Sequence, residues 1–214
     1  MKKGITKILS ACVFAFVVFL AAGTQSKAAV NMGVKQTGAG SSYVDLAWDA
    51  QLGAGHYHTQ FSQDGKNWID MDNSSSPSES VYNLTQGASY YARVVGTHVM
   101  IGVSETAIVS TKPTEVSGLT QTAAGVNSIS MSWNASAGAA SYVIYGYINY
   151  NWTQIGTSAT NSATITGVAA TTSTRFSVAA VKNVTGGTVT GDQCSGVEMK
   201  AIPIKVSRIA MQYY

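Results

Sequence analysis

The sequence predicts an all-β protein, two tandem seven-strand β-sandwiches behind a leader. Three observations predict it. Only 11% of the 214 residues are charged, and β-branched, aromatic, Ser, Thr and Gly residues dominate, a composition of strands and turns. Apolar and polar residues alternate over short runs, the mark of half-buried strands. One stretch also occurs twice. It runs from Trp48 to Tyr57 and from Trp133 to Tyr142, the second copy 85 positions after the first. In both copies Trp and Tyr stand nine positions apart with a Gly-Ala pair between them. A period this long marks two copies of one module.

Residues 1–28 read as a secretory signal peptide. Lys2, Lys3 and Lys7 precede an uncharged run of 15 residues, Ile8 to Ala22, and Ser26 and Ala28 place small residues at a cleavage site. The run is short of the ~20 residues that span a bilayer, so cleavage after Ala28 is expected, with no membrane insertion afterwards. Cys12 precedes most of the apolar run, which argues against a lipidated leader. The leader holds four of the 13 basic residues and none of the 10 acids, leaving nine against ten in the mature chain. Nothing in that balance suggests a nucleic-acid partner. Cys194 is then the one remaining cysteine. It could pair between chains or pack as a small buried residue.

The first module is expected over residues 29–112. Val30 to Thr37 reads as an edge strand. Val44, Leu46 and Trp48 share one face of the next. Gly53 to Gly55 turns the chain into Tyr57–Phe61, and Asp64-Gly65 is a hairpin turn returning through Trp68–Asp72. Asn73 to Ser78 reads as a polar loop. Strands follow at Val81–Leu84, Tyr90–Val95 and Thr106–Thr111. Pro113 interrupts strand pairing and opens the second module, residues 113–202. Val116–Leu119, Ile129–Trp133, Tyr142–Tyr145, Ala163–Val168 and Arg175–Val181 repeat the earlier strands, and Gln121 repeats Gln36. Asn183 to Asp192 is a Gly- and Thr-rich insertion that reads as a flexible loop. Pro203 to Ile209 repeats Pro113 to Leu119, so residues 203–214 read as the start of a truncated third module.

Leu84-Thr-Gln-Gly-Ala-Ser-Tyr90 resembles the fibronectin type III signature, in which a Leu precedes a corner Tyr by six positions. Trp48 and Trp133 resemble that family's strand B Trp, Tyr57 and Tyr142 its strand C Tyr, and Pro113 its boundary Pro. The resemblance covers residues 30 to 203, twice. It implies immunoglobulin-like sandwiches with a structural core of Trp48, Tyr57, Leu84, Tyr90, Trp133 and Tyr142. The second copy departs at the corner, where Thr174 replaces Tyr and Phe176 is left to carry the packing. The family's integrin-type Arg-Gly-Asp triplet is absent.

No nucleophile elbow, phosphate loop, Cys-x-x-Cys pair or zinc-protease motif occurs. Asp70 and Asp72 share an exposed strand face, unlike glycosidase acids that flank a cleft from separate elements. Asp64, Asp70, Asp72 and Asn73 lack the spacing of a calcium loop. His56, His58 and His98 could in principle gather a metal, but a core-facing Tyr57 would leave His56 and His58 on the surface. No catalysis, cofactor or metal is expected. Asn73, Asn83, Asn134, Asn151 and Asn183 begin Asn-x-Ser/Thr triplets, which matter only in a glycosylating host. Tyr145, Tyr147, Tyr150 and Trp152 crowd one hairpin. They either pack across the strands or form a ligand-binding aromatic patch. The resemblance and the leader imply a secreted, non-enzymatic interaction, adhesion or spacer protein of bacterial type. Its partner would be an extracellular protein or polysaccharide. The alternative is a carbohydrate-binding accessory region of a larger secreted hydrolase.

Overall fold

The computed structural model describes residues 29–97, 102–170 and 173–203. The expected signal peptide, His98 and the expected third-module start beyond Pro203 lie outside the described residues. What is described is all-β, two tandem immunoglobulin-like sandwiches, each with its own core.

The first sandwich contains β1 (Lys35–Ala39), β2 (Val44–Ala47), β3 (His56–Ser62), β4 (Ile69–Ser74), β5 (Ser78–Val81), β6 (Ser89–Thr97) and β7 (Ala107–Ser110). They form a three-stranded sheet, β1-β2-β5, facing a four-stranded one, β4-β3-β6-β7. The second contains β8 (Thr120–Gly125), β9 (Ser128–Ser132), β10 (Ser141–Ile148), β11 (Asn151–Ser158), β12 (Ser162–Thr166), β13 (Thr174–Val184), β14 (Gly187–Thr190) and β15 (Val197–Met199). Its sheets are β12-β9-β8 and β11-β10-β13, with β14 and β15 both on β13. The strand order is that of the first sandwich, with the last strand split in two.

The repeated Trp–Tyr spacing has a structural cause. Trp48 meets Tyr57 edge to face at 5.4 Å, and Trp133 meets Tyr142 at 5.3 Å. All four rings are buried. Each phenol folds back beneath the intervening turn, where Tyr57 accepts from the Gln51 amide at 2.8 Å and Tyr142 from the Ser136 amide at 3.0 Å. The pair therefore fixes both the core and the turn joining its two strands. Tyr90 anchors the corner of the first module by accepting from the Thr85 amide at 3.0 Å. Thr174 occupies that position in the second, and Phe176, 1% exposed, fills the core two residues on. Leu84 is buried in the first core.

Several boundaries differ from the sequence reading. The first edge strand begins at Lys35, because Val30 makes only an isolated parallel bridge to Ser104. The fifth strand is Ser78–Val81, placed by pairing with β2, whereas Asn83 turns the chain with φ +61°. Val116 is buried but belongs to no strand. The largest correction concerns Asn183 to Asp192. It is a β-hairpin, β13 turning through Thr185-Gly186 into β14, with Val184 opposite Gly187 and Lys182 opposite Val189. Its glycines suggested flexibility, but β-branched residues on both arms favour pairing.

That hairpin reaches the first sandwich. The Thr185 amide donates to the Ile108 carbonyl at 2.8 Å, and the Ile108 amide donates to Thr185 Oγ1 at 2.7 Å. Lys182, 4% exposed, donates from Nζ to the Gly87 carbonyl. Lys112 and Asp192 form an ion pair at 2.7 Å. Gly191 lets the linker pass closely, since a Cβ there would lie 3.1 Å from the Pro113 carbonyl oxygen. An open cleft of about 390 Å³ remains between β1 and β14.

Candidate functional site

Aromatics of the second sandwich gather on the outer face of β10 and β11. On β10, Ile144 and Gly146 face the core while Tyr145 and Tyr147 point outward. Trp152 on β11 is the register partner of Tyr147, and their rings meet edge to face at 5.2 Å. Gln154 stands opposite Tyr145 and shares its face. The structure thus brings Tyr145, Tyr147 and Trp152 together. Tyr150 stands apart at the hairpin tip, 90% exposed.

The tip is a two-residue turn, because Ile148 pairs with Asn151. Asn149 has φ +49° and Tyr150 φ +65°. This is the conformation in which Asn-Gly is favoured. Tyrosine in the left-handed region carries a steric penalty that glycine avoids.

Residues that the sequence reading missed complete the face. Arg175 points outward beside the core-facing Phe176, and Glu198 of β15 is its register partner. The one ion pair among the described residues joins Lys112 to Asp192, so Arg175 and Glu198 face each other unpaired. Gly196 abuts the benzo edge of the indole, where a Cβ would come within 2.7 Å of Trp152 Cη2, 3.0 Å of Cζ2 and 3.4 Å of Arg175 Nε. The side chain starts on β11 and its far edge reaches Gly196, so its long axis runs across the sheet.

The first sandwich has a counterpart. Asn67-Trp68 recurs as Asn151-Trp152, 84 positions later, a signal that could have linked the two faces. Trp68 precedes Ile69, the partner of Phe61, and so holds the same place in its sheet. Its ring is already occupied by the Arg93 guanidinium, 4.0 Å from the centroid. Arg93 Nε donates to Gln60, whose amide donates to Asp70, both at 2.7 Å. Burial lowers the Arg93 pKa, and Asp70 acts in the opposite direction.

The other candidates form no reaction centre. Asp70 and Asp72 lie on β4, Asp70 serving Gln60. Asp64 is held well below the usual carboxylate range by the amides of Asn67 and Lys66, the Ser62 hydroxyl and the Asn67 side chain, all within its own turn. His56 is exposed and His58 half-buried, on either side of buried Tyr57. Among the described residues no group of three or more His, Cys, Asp or Glu could hold a metal ion. Burial lowers the Lys182 pKa at the joint between the sandwiches.

No family model matches this chain, and comparison with curated proteins finds no match. Solved structures do resemble it at low identity. The FN1–FN3 domains of chicken CNTN1 align at 14% identity over 81% of this chain and 68% of that one, with a TM-score of 0.46. A two-domain fibronectin type III segment of chicken tenascin aligns at 15% identity over 78% of this chain and 97% of that one, with a TM-score of 0.41. The fibronectin type III domain of human fibronectin type III domain containing protein 3 aligns at 19% identity over 45% and 92%, with a TM-score of 0.38.

Proposed function

We propose that this chain acts outside the cell as a non-catalytic interaction, adhesion or spacer protein. Its two sandwiches work as one rigid unit and present the β10–β11 hairpin to an extracellular partner. The observation that carries the reading is the interlocked joint. A hairpin of the second sandwich exchanges two hydrogen bonds with Ile108 of the first, and Lys182 is buried against Gly87. Domains joined by a linker alone move independently by default. Here main-chain bonds, a buried cation and an ion pair oppose that motion. The leader read in residues 1–28 supports secretion.

The test is ¹⁵N relaxation on residues 29–214. The expected result is one tumbling time for both sandwiches. Two independent times would sink the rigid-spacer reading. The exposed aromatic hairpin favours a second reading, a carbohydrate-binding accessory region of a larger secreted hydrolase.

A further inference from the structure

We propose that the outer face of β11, β10, β13 and β15 is a platform for a neutral polysaccharide. Trp152 and Tyr147 stack on sugar rings, while Arg175, Glu198 and Gln154 hydrogen-bond the hydroxyls. The proposal rests on the interaction reading above and names its ligand class.

Four observations carry it. Trp152 is 36% exposed, with the benzo edge of its indole against Gly196. It therefore leaves apolar ring surface on this side of the sheet, which the C–H face of a pyranose can cover. Tyr147 adds a second ring at 5.2 Å, inclined by 61°.

The polar groups beside these rings are mixed in sign. Arg175 supplies donors only, Glu198 acceptors only and Gln154 both. Arg175 and Glu198 face each other in register without an ion pair. A polymer of neutral hydroxyls can bond to both residues at once. A strongly acidic polymer would be repelled by Glu198, and a basic one by Arg175.

Tyr150 gives the third observation. Its ring is 90% exposed at φ +65°, so the fold gains little from a phenol where glycine would relieve strain. Strained backbone of this kind clusters at ligand-binding sites. The phenol stands at the hairpin tip, two residues before Trp152, where it could meet a ligand longer than one sugar.

The fourth observation is the contrast with the first sandwich. Trp68 holds the same place in its sheet but is covered by its own Arg93. Among the described residues that cation–aromatic contact belongs to the first copy alone. Two open clefts lie elsewhere, between β1 and β14 and beside β2, β4 and β5, and neither is lined by Trp152 or Tyr147, so this face suits an extended polymer rather than a single enclosed sugar.

The experiment measures retention of the secreted chain on insoluble cellulose, chitin and xylan, with Trp152→Ala, Tyr150→Gly and Trp68→Ala alongside. Binding to at least one polymer is expected. Trp152→Ala should weaken it about tenfold or more, as loss of a central aromatic anchor does. Tyr150→Gly should weaken binding while raising the melting temperature, which separates ligand contact from folding. Trp68→Ala should bind as the parent does. Retention on none of the three polymers, or equal retention by Trp152→Ala, overturns the proposal. Trp152-dependent binding to a cell surface that survives periodate but not protease also overturns it, in favour of a protein partner. None of these outcomes alters the tumbling measurement, so the spacer reading stands or falls separately.

Discussion

Cys194 and Val178 exchange a pair of hydrogen bonds. The Val178 amide donates to Sγ at 3.3 Å, and the Cys194 amide donates to the Val178 carbonyl at 3.0 Å. Ser104 and Val94 do the same in the first sandwich, at 2.8 Å and 2.7 Å. Cys194 is thus the counterpart of Ser104, a side-chain acceptor where the last strand breaks away from its neighbour. Cys194→Ser should preserve the acceptor. Cys194→Ala should leave the Val178 amide without one and cost about 1–3 kcal/mol. Urea denaturation of both variants checks this, and an Ala variant as stable as the Ser variant would refute it.

Two glutamines clasp the edges of the sandwiches. Gln36 donates to the Ser110 carbonyl at 2.7 Å and accepts from the Ser110 amide at 2.9 Å. Gln121 makes the same pair of bonds with Lys200, at 2.9 Å and 3.1 Å. Gln36 joins β1 to the end of β7, and Gln121 joins β8 to the residue that follows β15. Gln36→Ala should cost about 1–3 kcal/mol, and Gln121→Ala less, because its bonds are exposed. Amide hydrogen exchange should accelerate at Ser110 in the first variant and at Lys200 in the second.

A large and a small residue trade places between the two cores. Phe61 pairs with Ala92 in the first, and Gly146 pairs with Phe176 at the same register position in the second. Phe176→Ala should cost the second sandwich about 3–5 kcal/mol. Adding Gly146→Phe should recover part of that loss by copying the first arrangement. Calorimetry that finds no recovery would show that the exchange does not conserve packing.

Glu105 predicts sensitivity to acid. Burial raises the pKa of its carboxyl, but the amides of Met32, Glu105, Val34 and Gly33 outweigh that and bring it below normal. The side chain accepts from Met32 at 2.9 Å and Val34 at 3.0 Å. A folded pKa below the unfolded one, ~4.3 for Glu, contributes stability that is complete above the unfolded value. That stability is lost as pH falls through the folded one. The first sandwich should weaken as pH drops below ~4.3, and Glu105→Gln should flatten that slope. An unchanged slope in the variant would assign the acid sensitivity elsewhere.

Much of the core was legible because its signal is local. Trp48, Tyr57, Trp133 and Tyr142 declare themselves by alternation and a repeated spacing, and a strand's two faces follow from the period of its own side chains. Strand boundaries were less legible. Val81–Leu84 alternates well enough, but pairing with β2 selects Ser78–Val81.

The sequence by itself determined the two-module plan, the all-β class, the Trp–Tyr cores and the presence of an aromatic hairpin. Only the tertiary structure decided that Asn183 to Asp192 holds a hairpin touching Ile108, that Cys194 answers to Ser104, and that Gly196 and Arg175 meet the far edge of Trp152. The reason is physical. Alternation is set by the geometry of neighbouring residues, whereas these contacts depend on the register between distant strands. Thr185 and Ile108 are 77 positions apart, and no period within either segment records that they meet.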